Sequence, residues 1–174
     1  VVFGLGPIGL LIVEALRAAG ASKIYGVELS PERQAKAEEL GAIIVWPEEG
    51  EDVVAAIQRL TGGGADVSYE VTGVPVVLGQ ALASVHKAGE CMVVSIWERE
   101  ASINPNEFAI QEKSLKGIIA YRHIFPKVLE LMEQGYFSAD KLVTKKIKLE
   151  DIVQEGFIEL TQDKAQIKIL VSPE

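Results

Sequence analysis

Three observations predict an α/β fold for this 174-residue chain: a doubly wound parallel sheet of six strands with helices on both faces. An apolar run at the start passes directly into a glycine-rich turn and then into a helix-periodic segment. Short β-branched runs then alternate with helix-periodic runs as far as residue 135. Glycine or proline stands at nearly every junction between them. Strands with two apolar faces belong to a sheet covered on both sides.

Val1-Val2-Phe3 reads as the first strand, and Gly4-Leu5-Gly6-Pro7-Ile8-Gly9 as the turn that leaves it. Each glycine has its own task. Gly4 permits the turn, Gly6 has no Cβ to hinder a close-lying ligand, and Gly9 lets the next helix pack tightly on the strand. Pro7 suits the first helical turn, where a missing N–H is no loss. The open N–H groups and the dipole at that helix end favour a phosphate anion. Strand, Gly-x-Gly-x-x-Gly and helix in this order form the dinucleotide-binding (Rossmann) fingerprint. A glycine-rich turn without a ligand is the plain alternative.

The second half of the fingerprint lies in Ser22-Lys23-Ile24-Tyr25-Gly26-Val27-Glu28, the next strand, where Glu28 stands nineteen residues beyond Gly9. A carboxylate there accepts both ribose hydroxyls of an adenosine and repels a 2′-phosphate. It therefore points to NAD over NADP.

The elements continue in order. Ile8, Leu11, Ile12, Ala15, Ala18 and Ala19 recur at helical spacing, and Gly20 ends that helix. Ser30 and Pro31 open a helix through residues 32–40, stopped by Gly41. Residues 42–46 form a short strand, and residues 51–60 a helix broken at Thr61-Gly62-Gly63-Gly64. Residues 66–71 form a fourth strand, followed by Thr72-Gly73. Pro75 starts a helix carrying Leu78, Ala81, Leu82 and Val85, and Gly89 turns into a fifth strand at 91–96. A longer loop with Asn104-Pro105-Asn106 leads to a sixth strand at 115–120 and a helix at 125–134. We divide the chain into a dinucleotide-binding domain, 1–135, and a C-terminal segment, 136–174. In that segment 142–149 alternates, 150–160 is amphipathic and 167–171 is a short strand.

Composition narrows the class. A formal net charge of −8 argues against nucleic acid and against anionic membrane surfaces. A single cysteine, Cys91, excludes an internal disulfide framework and a multi-cysteine metal site, and fits a cytoplasmic location. The most apolar stretch, residues 1–21, is interrupted by Glu14 and Arg17, so no bilayer span is expected. No basic region precedes it, so no signal peptide is expected. A core strand beginning at Val1 without an initiating Met leads us to expect a fragment of a longer protein.

The quoted motifs resemble those of the medium-chain, zinc-type alcohol and polyol dehydrogenases, most of all their 2,3-butanediol dehydrogenase branch. Besides Phe3 to Gly9, the resemblance rests on Val27-Glu28-Leu29-Ser30-Pro31-Glu32-Arg33, Asp66-Val67-Ser68-Tyr69-Glu70-Val71-Thr72-Gly73, Gly89-Glu90-Cys91, Lys141-Leu142-Val143-Thr144 and Ile167-Lys168-Ile169-Leu170-Val171. It covers essentially the whole chain. It implies that Gly4, Gly6, Pro7, Ile8 and Gly9 form the pyrophosphate turn, with Ile8 behind the nicotinamide. It implies Glu28 on the adenosine ribose, Arg33 beside it, and Val71, Thr72 and Gly73 along the adenine and ribose side. Ser95, Ile96 and Trp97 would present backbone groups to the nicotinamide amide, and Lys168 would lie near the phosphates.

Relatives hold a catalytic zinc through Cys, His and Glu on a separate N-terminal domain, and this chain carries neither that set nor a four-cysteine structural site. The resemblance therefore implies the NAD-binding part of an enzyme that oxidises a small alcohol or diol. The isolated chain is expected to bind cofactor and catalyse nothing. A homodimer (or a tetramer) through the edge of the sheet is also expected, since an uncovered apolar edge strand invites pairing.

Other residues have simpler readings. Cys91 reads as a small core hydrophobe, and His86 and His123 as solvated or capping histidines. Trp46 reads as packed, Trp97 as packed or flanking the cofactor, and Lys145, Lys146 and Lys148 as a solvated strand face. Two other functions stay open: a methyltransferase binding S-adenosylmethionine, and a non-catalytic NAD-sensing module.

Overall fold

A computed structural model describes residues 1–137 and 139–173. Its first strand, β1 (Val2–Phe3), lies between two neighbours, and side-chain alternation sends Val2 to one face and Phe3 to the other. From β1 the chain alternates: α1 (Pro7–Ala18), β2 (Tyr25–Val27), α2 (Pro31–Glu39), β3 (Ile43–Ile44), α3 (Val53–Thr61), β4 (Ala65–Glu70), α4 (Pro75–Ala83) and β5 (Val85–Val93). A short α5 (Asn106–Ala109) precedes β6 (Ser114–Gly117) and α6 (Phe125–Glu133). The six strands run parallel in the order β3-β2-β1-β4-β5-β6. The order reverses between β1 and β4, and in sheets of this kind ligands bind at the carboxyl ends of the strands at that switch point.

Helix ends follow local chemistry. Ser30 Oγ accepts the Arg33 N–H at the start of α2, and Asp52 Oδ1 accepts the Ala55 N–H at 2.8 Å at the start of α3. Gly62 ends α3 in the left-handed region. One core layer joins Val2, Leu5, Leu10, Val13, Ile24, Leu40 and Ile44, and the other joins Phe3, Tyr25, Ala56, Ile57, Leu78, Leu82 and Cys91. Each large side chain fully buried there contributes about 1.5–3 kcal/mol of burial.

Several expectations are corrected. The fifth strand begins at Val85 and ends at Val93, because its partner β4 ends at Glu70. Ala65 faces Val85 but Val67 faces Glu90, so residues 86–89 bulge outward, with Ala88 at φ 63°. Ser95, Ile96 and Trp97 consequently lie in the loop beyond the strand. The sixth strand stops at Gly117, opposite Val93, and Ala120 stands at φ 52°, outside strand geometry. Trp46 is 62% exposed, because β3 ends at Ile44 and leaves the indole beyond the sheet.

In the C-terminal segment, α7 (Ala139–Leu142) leads into β7 (Val143–Lys148), which pairs in parallel with β8 (Lys168–Ser172). The crossover 149–162 is one helical run wound in three ways: a 3-10 turn at Leu149–Asp151, a π turn at Ile152–Ile158 and α8 (Glu159–Gln162). Gly156, buried within the π turn, brings the run close to Ile147. Lys145 is half-exposed rather than free on a solvated face: it shares a side with Ile147 and pairs with Glu155 at 3.0 Å and Glu159 at 2.6 Å. Leu142 and Ile167 join the core layer of Val2 and Leu10.

Candidate functional site

The glycine turn is built by backbone contacts. Gly4 takes φ 91°, and its N–H donates to the Val27 carbonyl at 2.9 Å. A Cβ on Gly9 would lie 1.9 Å from the Gly4 carbonyl oxygen, so α1 rests directly on the turn. Gly6 differs. It has ordinary extended angles, and the nearest atom to a Cβ there is Arg33 Nη1 at 3.9 Å. Gly6 provides no side-chain cap, and Pro7 begins α1. The first turn of this twelve-residue helix therefore presents backbone N–H groups and the positive end of its dipole over an open glycine. Ile8 is 52% exposed on the same turn.

Glu28 follows β2 and binds the turn from one side. Its Oε2 accepts the Leu5 N–H at 3.0 Å, and its Oε1 accepts the N–H groups of Leu29 at 2.7 Å and Ser30 at 3.1 Å. Arg33 Nη1 is 3.8 Å from Oε2. A carboxylate offers roughly four lone-pair directions, so about one remains for a further donor. Both ribose hydroxyls cannot bond to Glu28 unless one backbone partner is shared or displaced.

The opposite side is formed by the loops after β4 and β5. The Val71 N–H donates to the Phe3 carbonyl at 3.0 Å, which anchors the first loop beside β1. Thr72 is exposed, and its Cγ2 lies 2.7 Å from where a Gly4 Cβ would stand. A Cβ on Gly73 would lie 2.9 Å from the Ile96 carbonyl oxygen, so the two loops touch. Ile96 is 84% exposed, whereas Trp97 packs against the Phe3 layer. The Ser95 hydroxyl donates to Glu70 Oε2.

The structure thus gathers Gly4, Gly6, Pro7, Ile8, Gly9, Glu28, Arg33, Val71, Thr72, Gly73, Ser95 and Ile96 at the carboxyl ends of β1, β2, β4 and β5, while Trp97 packs on the Phe3 layer. Lys168 is carried by β8, outside the six-stranded sheet, and its carbonyl accepts from Thr144. Sequence reasoning passed over Glu70, a fully buried carboxylate at the end of β4. The available signal was an acid in a strand followed two residues later by Thr-Gly, both able to donate back to it.

A cavity of about 600 Å³ opens at the other end of the sheet, lined by Val1, Ile24, Ala65 and His86 at the amino ends of the strands. His86 bonds the Lys87 carbonyl at 2.6 Å and Asp66 at 3.2 Å, which raises its pKa. Burial pushes the Cys91 thiol up, which suits a core residue rather than a nucleophile. Among the described residues no three His, Cys, Asp or Glu side chains are grouped to hold a metal, and no helix is long and apolar enough to cross a membrane.

The family model described as zinc-binding dehydrogenase matches residues 7–134. An (R,R)-butanediol dehydrogenase of Bacillus subtilis is 66% identical over 172 residues, covering 99% of this chain and 50% of that protein. An (R,R)-butanediol dehydrogenase of Neisseria gonorrhoeae is 37% identical over 174 residues, covering 98% of this chain and 49% of that protein. The crystal structure of 2R,3R-butanediol dehydrogenase from Bacillus subtilis superposes with a TM-score of 0.95 at 65% identity, over 99% of this chain and 50% of that one. The chain spans about half the length of the curated relatives it matches.

Proposed function

The chain belongs to the zinc-binding dehydrogenases, and from that premise we propose that it is the NAD-binding part of an enzyme that transfers a hydride between NAD and a secondary alcohol or diol such as 2,3-butanediol. The observation that carries the cofactor is the open Gly6 beside Glu28. Above Gly6, the N-terminus of α1 faces space that a Cβ would begin to fill, and a carboxylate borders it on the next strand. The diol rests on the 66% identity to a butanediol dehydrogenase.

When bound, the nicotinamide supplies the hydride acceptor. The chain's own residues bind and orient. The N–H groups at the start of α1 hold the pyrophosphate against Gly6, with Gly4, Pro7 and Gly9 fixing the turn. The remaining acceptor direction of Glu28 takes a ribose hydroxyl, and Arg33 lies beside that ribose. Val71, Thr72 and Gly73 border the adenosine. The exposed Ile8 packs behind the nicotinamide and excludes water, while backbone groups of Ser95, Ile96 and Trp97 meet its amide. The family resemblance is what supports a role for Lys168 as positive charge toward the phosphates. The described residues do not fit zinc, because no three His, Cys, Asp or Glu side chains among them are grouped to hold it. This chain alone binds cofactor and turns over no alcohol.

The assembly is a homodimer in this reading. β6 is the last strand of its sheet, and beyond it Ile118 and Ile119 are 54% and 80% exposed. A monomer by light scattering at micromolar concentration would overturn that part.

The cofactor reading is tested by calorimetric titration with NAD, NADP and S-adenosylmethionine, repeated with Glu28→Ala. Binding of NAD alone, at least tenfold weaker in the variant, is the expected result. Binding of S-adenosylmethionine instead would overturn the dehydrogenase reading.

A further inference from the structure

Glu70 is the last residue of β4 and is 0% exposed. A buried carboxylate is costly unless its oxygens are met by donors, and here four donors converge on it. Oε1 accepts the Thr72 N–H at 2.7 Å, the Thr72 hydroxyl at 2.5 Å and the Gly73 N–H at 3.0 Å. Oε2 accepts the Ser95 hydroxyl. The Glu70 carbonyl also accepts the N–H groups of Val94 at 2.9 Å and Ser95 at 3.3 Å. One residue therefore ties the loop after β4 to the loop after β5.

Those loops touch the glycine turn and each other. The Thr72 methyl lies over Gly4, and the Gly73 backbone lies against the Ile96 carbonyl. With its carboxylate fully buried, Glu70 has no surface to offer a ligand. The Ser95 hydroxyl points its proton at Glu70, so toward a ligand that oxygen can only accept.

We propose that Glu70 is a positioning residue of the cofactor crevice: by holding Thr72, Gly73 and Ser95 together, it fixes the distance between two binding loops and the glycine turn. NAD affinity then depends on a carboxylate that never touches the cofactor. This rests on the reading that the crevice binds NAD.

The test measures NAD dissociation constants by calorimetry, well below each variant's melting temperature, for the parent, Glu70→Gln, Glu70→Leu, Ser95→Ala and the Glu70→Leu/Ser95→Ala double variant. Glu70→Leu is expected to weaken NAD at least tenfold. Glu70→Gln keeps an acceptor for Thr72 and Gly73 and offers an NH₂ to the Ser95 oxygen, so it is expected to stay within threefold of the parent. Ser95→Ala is expected to cost little more in the Glu70→Leu background, because Ser95 acts through the carboxylate. A Glu70→Leu protein with a lower melting temperature but parental affinity would reduce Glu70 to a structural role and overturn the proposal. A further multiplicative loss in the double variant would do the same, since it would mark the Ser95 hydroxyl as a direct contact. Where Glu70→Leu fails to fold, Ser95→Ala decides: it leaves Oε2 without its donor, and parental affinity in it refutes the proposal. If the parent binds no NAD, the functional reading falls first and this inference with it, a result distinct from unchanged affinity in the variants.

Discussion

Gly6 and Gly9 are three residues apart in one motif, and the structure assigns them opposite sensitivities. A Cβ at Gly9 would stand 1.9 Å from the Gly4 carbonyl oxygen and 3.0 Å from its carbonyl carbon. Both obstacles are backbone, so no side chain can rotate away. Restoring contact requires α1 to retreat from the turn by about 1.1–1.5 Å, and overpacking of this kind costs about 3 kcal/mol or more. Against this, replacing a helical glycine by alanine gains up to about 1 kcal/mol. The steric term wins, with a net loss of about 2 kcal/mol or more and a fall in melting temperature of roughly 4–8 °C for a chain of this size. The retreat also loosens Leu10 and Val13, both 0% exposed against the sheet.

Gly6→Ala meets nothing nearer than 3.9 Å and occupies φ −70°, ψ −170°, where alanine is unstrained. Its melting temperature should stay within about 2 °C of the parent. The added methyl nonetheless enters the space over the N-terminus of α1, and NAD affinity should fall at least about tenfold. Scanning calorimetry reads the first quantity and titration calorimetry the second. A parental melting temperature for Gly9→Ala would refute the packing argument. Parental NAD affinity for Gly6→Ala would refute the placement of the pyrophosphate.

Three further expectations concern the frame around the site. Hydrogen bonds from Arg59, with help from the Glu48 N–H, lower the Glu51 pKa from 4.5 to about 2. A depressed carboxylate stabilises the fold above its unfolded value and loses that contribution as pH falls through the folded one. Carboxyl NMR should show Glu51 titrating near 2 and returning toward 4.5 in Arg59→Met; an unchanged titration in the variant would sink the assignment. His86 is raised above 6.5 by the Lys87 carbonyl first and Asp66 second. Its contribution is present below the unfolded pKa and disappears as pH rises through the folded one. The melting-temperature gap between parent and Asp66→Asn should accordingly be measurable near about pH 5.5 and absent by about pH 9; a gap that grows with pH contradicts the pairing. Cys91, fully buried with its thiol pKa raised, should react with a maleimide only on unfolding, and rapid labelling of the native protein would contradict its core placement.

What could be read from the sequence was local. Gly4, Gly9 and Gly62 announce their turns because only glycine takes those angles or that proximity, and Ser30 announces its helix because its hydroxyl caps three residues on. Strand-helix alternation was enough to fix a six-stranded parallel sheet. The losses were non-local. The bulge at residues 86–89 depends on how β5 registers against β4, and the strand ends at Val93 and Gly117 depend on where each neighbour stops. Lys145 reads as unpaired until the crossover 149–162 brings Glu155 and Glu159 to it. The glycine turn and Glu28 were legible because they form a spaced motif. Glu70 was missed in its role because the Ser95 hydroxyl it accepts is twenty-five residues away.

Glu28 and Glu70 together bear on how the proposed site, bordered by two carboxylates, would receive a dianionic pyrophosphate in a chain of net charge −8. They flank β1 from β2 and β4, and each directs its oxygens at loop donors. Glu28 takes three backbone N–H groups and faces Arg33 at 3.8 Å, while Glu70 takes two N–H groups and two hydroxyls. Donors held this close offset much of each charge locally. The remaining field over Gly6 is then shaped by the N-terminus of α1. Exposure separates the roles. The Glu28 side chain is 11% exposed and keeps about one acceptor direction for a ligand, whereas Glu70 is 0% exposed and out of a ligand's reach. Removing the Glu28 charge should therefore change which cofactor is accepted, NADP included, while removing that of Glu70 should change how tightly any cofactor is held.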